Sequence, residues 1–359
     1  MKYLGSKRRL VPVLGQICAH AGARTALDLF TGTTRVAQEF KRQGAHVTAV
    51  DTARYAEVFA QTYVALDAET VDQATLEIAF ADLAARPDLD GYVTETFCRQ
   101  SRFFQPHNGR RIDAIRAAIE HDYRDSWMYP VLLTSLIEAA DRVDSTTGVQ
   151  MAYVKQWAPR SFQPLELRMP EFVAGSGTAI RADACDVVRD LGHFDVAYLD
   201  PPYNQHRYFT NYHVWETLVA WDAPEHYGVA CKRVDARDGE TKSVFNERRG
   251  MPAALAQVIR DVDAELVIVS YNNEAWITAD ELDAMCRARG VDVRMLEFDS
   301  KRYVGAQIGI HNPQGEKVGR VSHLRNVEYV VCAGEASLLD ELVLRAQAGA
   351  TQAAHDLAR

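Results

Sequence analysis

The sequence has no long apolar run, no closely spaced cysteines and no excess of positive charge. None of its apolar segments approaches the roughly 20 residues of a membrane-spanning helix, so no membrane association is expected. Six cysteines stand far apart without CxxC spacing, which offers no metal site and indicates reduced thiols in a cytoplasmic protein. The basic N-terminus lacks the apolar block of a signal peptide.

A formal net charge of −9 argues against a protein that coats nucleic acid by bulk charge. Local basic clusters nevertheless occur at residues 1–10, 99–111 and 232–249. The second of these, RQSRFFQPHNGRR, contains four arginines and no acid. Such a cluster is either an ordinary solvated face or a set of contacts to phosphate groups.

The first 67 residues of the sequence alternate between helical and strand patterns. After a helix ending near Gly22, residues 25–67 predict a strand, a tight loop, a helix, a second strand ending at Asp51 and another helix. This alternation is typical of the α/β dinucleotide-binding fold, in which helical crossovers make neighbouring strands parallel.

The alternation is lost between residues 68 and 175, where only helical patterns occur, at 71–85, 112–120 and 129–143. Strand patterns then return before Asp200 and at 265–271, 292–298 and 326–334, with helices near 251–264 and 279–289 and from 336 to about 348. No helix separates the last two strands, so an antiparallel pair at the edge of the sheet is predicted.

The loop after the first strand, FTGTT, contains one glycine instead of a GxGxxG pattern. Asp51 ends the second strand, 19 residues beyond Gly32, where a carboxylate can accept both hydroxyls of a ribose. A single glycine leaves little room for a pyrophosphate, which favours a nucleoside such as S-adenosylmethionine over NAD or ATP. The alternative interpretation of the loop is a simple tight turn.

The stretch DVAYLDPPY turns abruptly from an apolar strand to Asp200, Pro201, Pro202 and Tyr203. The two prolines disfavour helix for the residues that precede them. The end of the strand is therefore expected to be extended and stiff, and to present a carboxylate, backbone carbonyls and an aromatic ring. Such a tip is suited to holding a flat polar group.

Four stretches occur in the order found in the Dam and DpnII-like class of DNA adenine-N6 methyltransferases, and the chain resembles that family. They are KYLGSK (2–7), LDLFTGTTRVA (27–37), AVD (49–51) and DPPY (200–203). The resemblance implies a Rossmann-like, S-adenosylmethionine-dependent catalytic domain formed by residues 1–67 and 166–359. It also implies an inserted, mostly helical target-recognition domain at 68–165. FTGTT has less glycine and alanine than the family pattern.

The resemblance also implies roles for individual residues. Lys7 is expected near the methionine carboxylate of the cofactor, Asp51 at its ribose, and Asp183 at its adenine, with Asp186 as an alternative to Asp183. The full set of implied cofactor contacts is Tyr3, Lys7, Phe30, Gly32, Asp51, Asp183 and Asp200.

The tetrad at 200–203 is the implied catalytic site. The amino nitrogen of adenine is a poor nucleophile because its lone pair is delocalised into the ring. The Asp200 carboxylate and the Pro201 carbonyl can accept its two N–H bonds and free that lone pair, which requires no metal. Because the amine lies inside a duplex, the base must be flipped out, and Tyr203 offers a ring on which it can stack.

Double-stranded DNA is the implied partner. The chain either belongs to a restriction system, with a separate restriction endonuclease as a further partner, or acts alone. Arg102, Arg110 and Arg111 of the insertion, and Arg207 after the tetrad, are the candidate DNA contacts. The stretch HRYFTNYHVWE either closes over the flipped base or packs its rings, including Tyr212 and Trp215, into the core. SYNNE (270–274) follows a strand and is a further candidate for lining the cleft.

Alternatives come from three classes of protein. Cytosine-N4 or RNA methylation belongs to the same class of enzyme, although the first tetrad residue favours adenine by family association. The single glycine of FTGTT disfavours a nicotinamide oxidoreductase. The intact DPPY argues against a DNA-binding module without catalytic activity.

Overall fold

A computed structural model describes residues 7–154, 156–203, 205, 207–301, 310–311, 317–319 and 325–342. The α-helices of this part are α1 (Val11–His20), α2 (Arg35–Arg42), α3 (Arg54–Ala60), α4 (Gln73–Ala85), α5 (Pro106–Tyr123), α6 (Tyr129–Val143), α7 (Ala184–Val187), α8 (Tyr208–Asn211), α9 (His213–Ala220), α10 (Met251–Asp261) and α11 (Ala279–Arg287). Within the described residues, no helix combines the length and apolar character needed to cross a bilayer.

The strands of the described part are β1 (Thr25–Asp28), β2 (His46–Asp51), β3 (Gly177–Arg181), β4 (Phe194–Leu199), β5 (His226–Tyr227), β6 (Lys232–Arg233), β7 (Ala264–Asn272), β8 (Asp292–Lys301), β9 (Ile310–His311), β10 (Lys317–Gly319) and β11 (Arg325–Gly334). The chain divides into two compact units. Unit 1 comprises Met1–Arg8, Thr31–Asp183 and His206–Ser243, and unit 2 comprises Arg9–Phe30, Ala184–Gln205 and Val244–Arg359.

Five strands of unit 2 follow the order β1, β4, β7, β11, β8, and β9 and β10 form a separate antiparallel pair. β4 lies parallel to both β1 and β7, whereas β11 lies antiparallel to both β7 and β8. The predicted antiparallel pair of β8 and β11 is thus confirmed. The apolar runs of β4 and β7 are almost fully buried, as expected for central strands that are covered on both faces.

The start of α11 illustrates how local sequence fixes an element of unit 2. Thr278 precedes the helix, and its hydroxyl accepts the Glu281 N–H at 3.2 Å. Glu281 Oε2 in turn accepts the Thr278 N–H at 2.8 Å. This capping box satisfies two backbone donors that a helix start would otherwise leave unpaired, and it sets where α11 begins.

Unit 1 pairs β2 with β3 in parallel, with Asp51 opposite Arg181. Its helices share an apolar core to which α3, α5, α6 and α9 all contribute. α3 continues directly into a π-helical turn at Gln61–Ala65. The alternation of parallel strands and helices in both units confirms the predicted mixed α/β, Rossmann-like class.

The predicted insertion, residues 68–165, contains α4, α5 and α6 and a π-helical segment at Thr94–Gln100. Its mostly helical character is therefore confirmed. Both predicted limits, residues 68 and 165, fall inside unit 1, so the boundaries of the units do not mark where a recognition domain begins and ends. Its extent stays a prediction. In addition to α1–α11, the final predicted helix is present at 336–342, and its remaining part lies outside the described residues.

Candidate functional site

The glycine loop of unit 1 is joined to Asp51 by hydrogen bonds. Gly32 has a φ of +51°, a left-handed conformation that glycine adopts without steric cost. Its N–H donates to Asp51 Oδ2 at 2.8 Å, and the Ala53 N–H donates to Asp51 Oδ1 at 2.9 Å. The loop and the end of β2 therefore hold this carboxylate from both sides.

Asp51 fits the chemistry of a ribose diol. Its carboxylate is oriented by backbone N–H groups, and an ionised carboxylate offers about four acceptor positions, so capacity for hydroxyl groups remains. Burial raises the pKa of Asp51, while the N–H groups of Ala53, Gly32 and Thr52 oppose that shift. A desolvated carboxylate gains more from accepting hydroxyl groups than a hydrated one does.

Asp183 lies at the same edge of the unit 1 strands as Asp51. The Ala182 N–H donates to the backbone oxygen of Asp51 at 3.0 Å, and Asp183 follows immediately as a partly buried residue before α7. The structure thus brings Gly32, Asp51 and Asp183 together. Lys7 belongs to this unit and its side chain is buried. Tyr3 lies outside the described residues.

The tetrad of unit 2 directly follows β4. Leu199 pairs with Val269 of β7, so Asp200 leaves the strand beside Ser270 at the carboxyl edge of the parallel strands. Asp200, Pro202 and Tyr203 are partly buried. In open α/β sheets, ligands bind outside this edge, which is the expected position for a catalytic carboxylate.

Two predicted site residues of unit 2 make aromatic contacts. The ring of Tyr203 lies edge-on to that of buried Tyr271, with centroids 5.5 Å apart and planes at 65°. Phe30 makes a similar contact with Phe245, with centroids 5.0 Å apart and planes at 82°. Tyr271 belongs to the SYNNE stretch that the sequence had indicated. Phe245 was missed, because an isolated phenylalanine carries no recognisable signal.

Two of the candidate DNA contacts, Arg110 and Arg111, lie near the start of α5 and share the acid Asp88. Arg110 Nε lies 3.6 Å from an Asp88 oxygen, and Arg111 Nη1 lies 3.4 Å from the other. Arg111 also donates to the carbonyls of Leu83 and Ala84 at 3.2 and 3.1 Å. Arg111 therefore has a structural task at the end of α4.

The other two candidates are differently placed. The Arg102 guanidinium lies 4.6 Å above the centre of the Trp157 ring. Arg207 is exposed at the start of α8. Tyr212 and Trp215, farther along the same stretch, are both 1% exposed in the core of unit 1, so core packing is the alternative observed. His206 lies outside the described residues.

A buried carboxyl that the sequence had not singled out lies in α9. Glu216 is 1% exposed, and its Oε1 accepts the Arg54 N–H at 2.9 Å. Burial raises the pKa of Glu216 to about 7, against the opposing effect of Arg54. The only available sequence signal was a lone acid within the apolar stretch HVWETL.

Comparison with known proteins identifies the family. A model of the D12 class of N6 adenine-specific DNA methyltransferases matches residues 3–285. The type II methyltransferase M.NlaIII of Neisseria lactamica is 29% identical over 79% of this chain and 86% of its own length. The modification methylase StsI of Streptococcus sanguinis and the type II methyltransferase M.FokI of Planomicrobium okeanokoites are 27% and 25% identical.

The match with StsI and M.FokI covers 81% of this chain but only 47% of either relative, so the chain spans about half their length. The residues that match the family model span the glycine loop, Asp51, Asp183 and the tetrad. The chain belongs to the D12 class of N6 adenine-specific DNA methyltransferases.

Proposed function

We propose that the chain methylates the N6 amino group of an adenine that has been flipped out of double-stranded DNA at a specific sequence. As a D12 methyltransferase it is an enzyme that uses S-adenosylmethionine. The observation that carries the proposal is the DPPY tetrad at the carboxyl end of a central parallel strand. It supplies the acceptors that amine methylation needs at the place where such folds bind ligands.

In the proposed cofactor site, the Asp51 carboxylate binds the ribose hydroxyls and Asp183 binds the adenine of S-adenosylmethionine. Lys7 pairs with its methionine carboxylate, while Tyr3, Phe30 and Gly32 complete the contacts. When bound, the cofactor supplies an electrophilic methyl group. The residues of the chain then contribute by orientation, which can account for a large part of the rate of a transfer reaction.

At the proposed catalytic site, Asp200 and the Pro201 carbonyl accept hydrogen bonds from the two N–H groups of the target amine. This pulls the nitrogen towards tetrahedral geometry and makes its lone pair available. The Asp200 carboxylate also faces the positive charge that develops on nitrogen during transfer. Pro202 keeps Pro201 extended, and so fixes the direction of that carbonyl.

The edge-on packing of Tyr203 against Tyr271 supports a stacking role for the tetrad tyrosine. Tyr271 is fully buried and its hydroxyl accepts the Ile277 N–H at 3.3 Å, so packing and a hydrogen bond both restrain its ring. An edge-to-face pair contributes roughly 0.5–1.5 kcal/mol beyond the area it buries. This contact restrains the Tyr203 ring, on which the flipped base is proposed to stack.

Methylation mapping by sequencing DNA from cells that express the chain tests the proposed reaction. We expect N6-methyladenine at one recurrent sequence and at no other base. The same experiment with Asp200→Ala provides the background. N4-methylcytosine in place of methyladenine, or methylation confined to RNA, would show that the alternative substrates are correct.

Asp51→Ala should weaken binding of S-adenosylmethionine by about 1–3 kcal/mol, because the charge-assisted hydrogen bonds to the ribose are removed. Affinity for DNA in the absence of cofactor should hardly change. Calorimetric titration of each variant with cofactor measures the effect. Asp190→Ala is the matched control, since Asp190 is an exposed acid between α7 and β4 with no implied role at the cofactor. Normal affinity in Asp51→Ala would move the ribose site elsewhere.

We also propose that Arg102, Arg110, Arg111 and Arg207 contact DNA phosphates. Alanine at Arg102 and Arg110 should weaken binding to all sequences alike and reduce the salt slope by about 1 for each phosphate that is no longer neutralised. Arg111→Ala should in addition lower the melting temperature, because its hydrogen bonds to the carbonyls of α4 are removed.

Fluorescence anisotropy at several salt concentrations measures these slopes. Arg124→Ala is the control, since Arg124 lies just after α5, is 69% exposed and pairs with Glu120. An unchanged salt dependence in the Arg102 and Arg110 variants would exclude them as phosphate contacts.

We propose, finally, that the chain serves a restriction-modification system and protects DNA from a separate endonuclease. The names of its relatives, type II methyltransferase and modification methylase, support this role. If so, DNA methylated by the chain should resist a cognate endonuclease that cuts the mapped sequence.

A further inference from the structure

The start of α3 is held by side chains from outside the helix. Ala53 precedes the helix and offers no side-chain cap. Instead, Asp51 accepts the Ala53 N–H at 2.9 Å, and Glu216 accepts the next N–H, that of Arg54, also at 2.9 Å. Two consecutive backbone donors are thus satisfied by two carboxyl groups, one of them the proposed ribose ligand.

Glu216 does this from a buried position. Its Oε2 has no hydrogen-bond partner among the described residues and lies 3.8 Å from Arg54 Nε. Burying a carboxyl group is costly, and apolar residues of similar volume often replace buried ionic groups without loss of stability. A stabilising role alone therefore accounts poorly for an acid at this position.

The helix that carries Glu216 is fixed at both ends. At its start, Gln150 Oε1 accepts the Val214 N–H at 2.8 Å. At its end, the buried Arg116 donates to the carbonyls of Leu218 and Val219, at 2.5 and 3.2 Å. α9 is therefore a stable support, and the carboxyl group that it holds against Arg54 has a defined position.

We propose that Glu216 is a positioning residue for the cofactor site: by holding the Arg54 N–H it fixes the turn at 51–54, and with it the direction of the Asp51 carboxylate. This inference rests on the proposed role of Asp51 as the ribose ligand. Without Glu216 the Arg54 N–H loses its acceptor, so the turn that presents the Ala53 N–H to Asp51 is less restrained. The firm restraint on the carboxylate is then the Gly32 N–H of the glycine loop, on its other side.

The test is calorimetric titration of the full-length protein with S-adenosylmethionine. Glu216→Met preserves side-chain volume but provides no acceptor, and it should raise the cofactor Kd roughly 5- to 50-fold, as for an unsatisfied donor. Glu216→Gln retains an oxygen for the Arg54 N–H and should stay within about threefold of wild type.

Tyr63→Phe is the matched control, because Tyr63 lies in the π-helical turn that continues α3. It removes the hydrogen bond from the Tyr63 hydroxyl to Glu138, 2.9 Å long, and so should lower stability without changing cofactor affinity. If that variant weakened cofactor binding as much as Glu216→Met, general loosening of the helix would explain the effect and the positioning role would be wrong.

Asp51→Ala separates this inference from the proposed function. Normal binding by Glu216→Met with weak binding by Asp51→Ala would overturn the role of Glu216 and leave that of Asp51 intact. Normal binding by both variants would overturn both.

Stability as a function of pH provides a second readout, which does not depend on cofactor. The charged groups around Glu216 are Arg54, Arg233 and Asp51, and burial raises its pKa to about 7. An acid with a raised pKa loses stabilisation as pH rises towards that value. Wild type should therefore lose stability relative to Glu216→Gln between about pH 4.5 and 7. A constant difference across this range would contradict the buried placement on which the proposal depends.

Discussion

Replacing Asp200 by alanine should slow methyl transfer by roughly 100- to 1000-fold, the range seen when one preorganised polar partner of a transition state is removed. DNA binding should persist, because phosphate contacts dominate affinity for DNA and those proposed for this chain involve other residues. The loss follows from the chemistry of the target: without the carboxylate acceptor, the lone pair of the adenine amine stays delocalised, and the charge developing on nitrogen is uncompensated.

Single-turnover methylation of a duplex containing the mapped sequence measures this effect without interference from product release. Asp200→Asn should be intermediate, since its amide oxygen still accepts one N–H but carries no charge. Asp195→Asn is the matched control at the other end of β4. Asp195 accepts the N–H groups of Arg24 and Thr25, at 2.7 and 2.8 Å, so its loss should affect stability and not the rate.

Equal single-turnover rates for wild type and Asp200→Ala would contradict the mechanism. A slow Asp200→Ala whose rate recovered at saturating S-adenosylmethionine would instead place Asp200 in cofactor binding alone. The family resemblance gives the residue both roles, and the dependence of the rate on cofactor concentration separates them.

The features that the sequence predicted well are those determined by neighbouring residues. The strand β2, His46–Asp51, ends at the predicted residue because its apolar run ends at an acid. The helix α6 likewise coincides with the predicted 129–143. The end of β4 could be predicted because two consecutive prolines cannot continue a ladder of hydrogen bonds.

The strand β3, Gly177–Arg181, was missed for the opposite reason. None of its residues is fully buried, so its sequence lacks the apolar run or the clear alternation by which strands are recognised. Pairing with β2 defines it, and pairing between distant segments cannot be read from local sequence.

The charge partners of the arginine-rich stretch likewise could not be predicted from the local sequence. Residues 99–111 contain no acid, yet Arg99 pairs with Asp90 at 2.8 Å and Arg110 and Arg111 share Asp88. These acids lie outside the stretch, on the segment that leads from α4 to the π-helical segment at Thr94–Gln100. An acid-free run in sequence is therefore not an acid-free surface, and a DNA-binding role has to be tested by salt dependence.

The ring contacts of the tetrad also arise only in the folded chain. Tyr203 and Tyr271 are separated by many residues, and the parallel pairing of β4 with β7 brings the ends of their strands together. The SYNNE stretch indicated a functional role at the end of a strand. Its position in the sequence did not indicate which ring would contact Tyr203.

Tyr203→Ala should reduce the single-turnover rate sharply, because a flipped adenine loses a stacking partner that contributes roughly 1–3 kcal/mol per base. Tyr203→Phe and Tyr203→Trp keep a ring and should retain a good part of the rate. The edge-on contact with Tyr271 is available to either replacement, since it involves ring faces and edges and not the hydroxyl group.

A duplex with 2-aminopurine at the target position reports base flipping directly, since its fluorescence rises when the base leaves the stack. From the proposed stacking of the extruded base on Tyr203, wild type should give a partly quenched signal, whereas Tyr203→Ala should give a brighter one despite slower methylation. Tyr271→Phe is the control, because it keeps the ring beside Tyr203 while removing the hydroxyl that accepts the Ile277 N–H. If Tyr203→Ala matched wild type in both fluorescence and rate, the base would be held by another surface, and the tyrosine of the tetrad would have no stacking role.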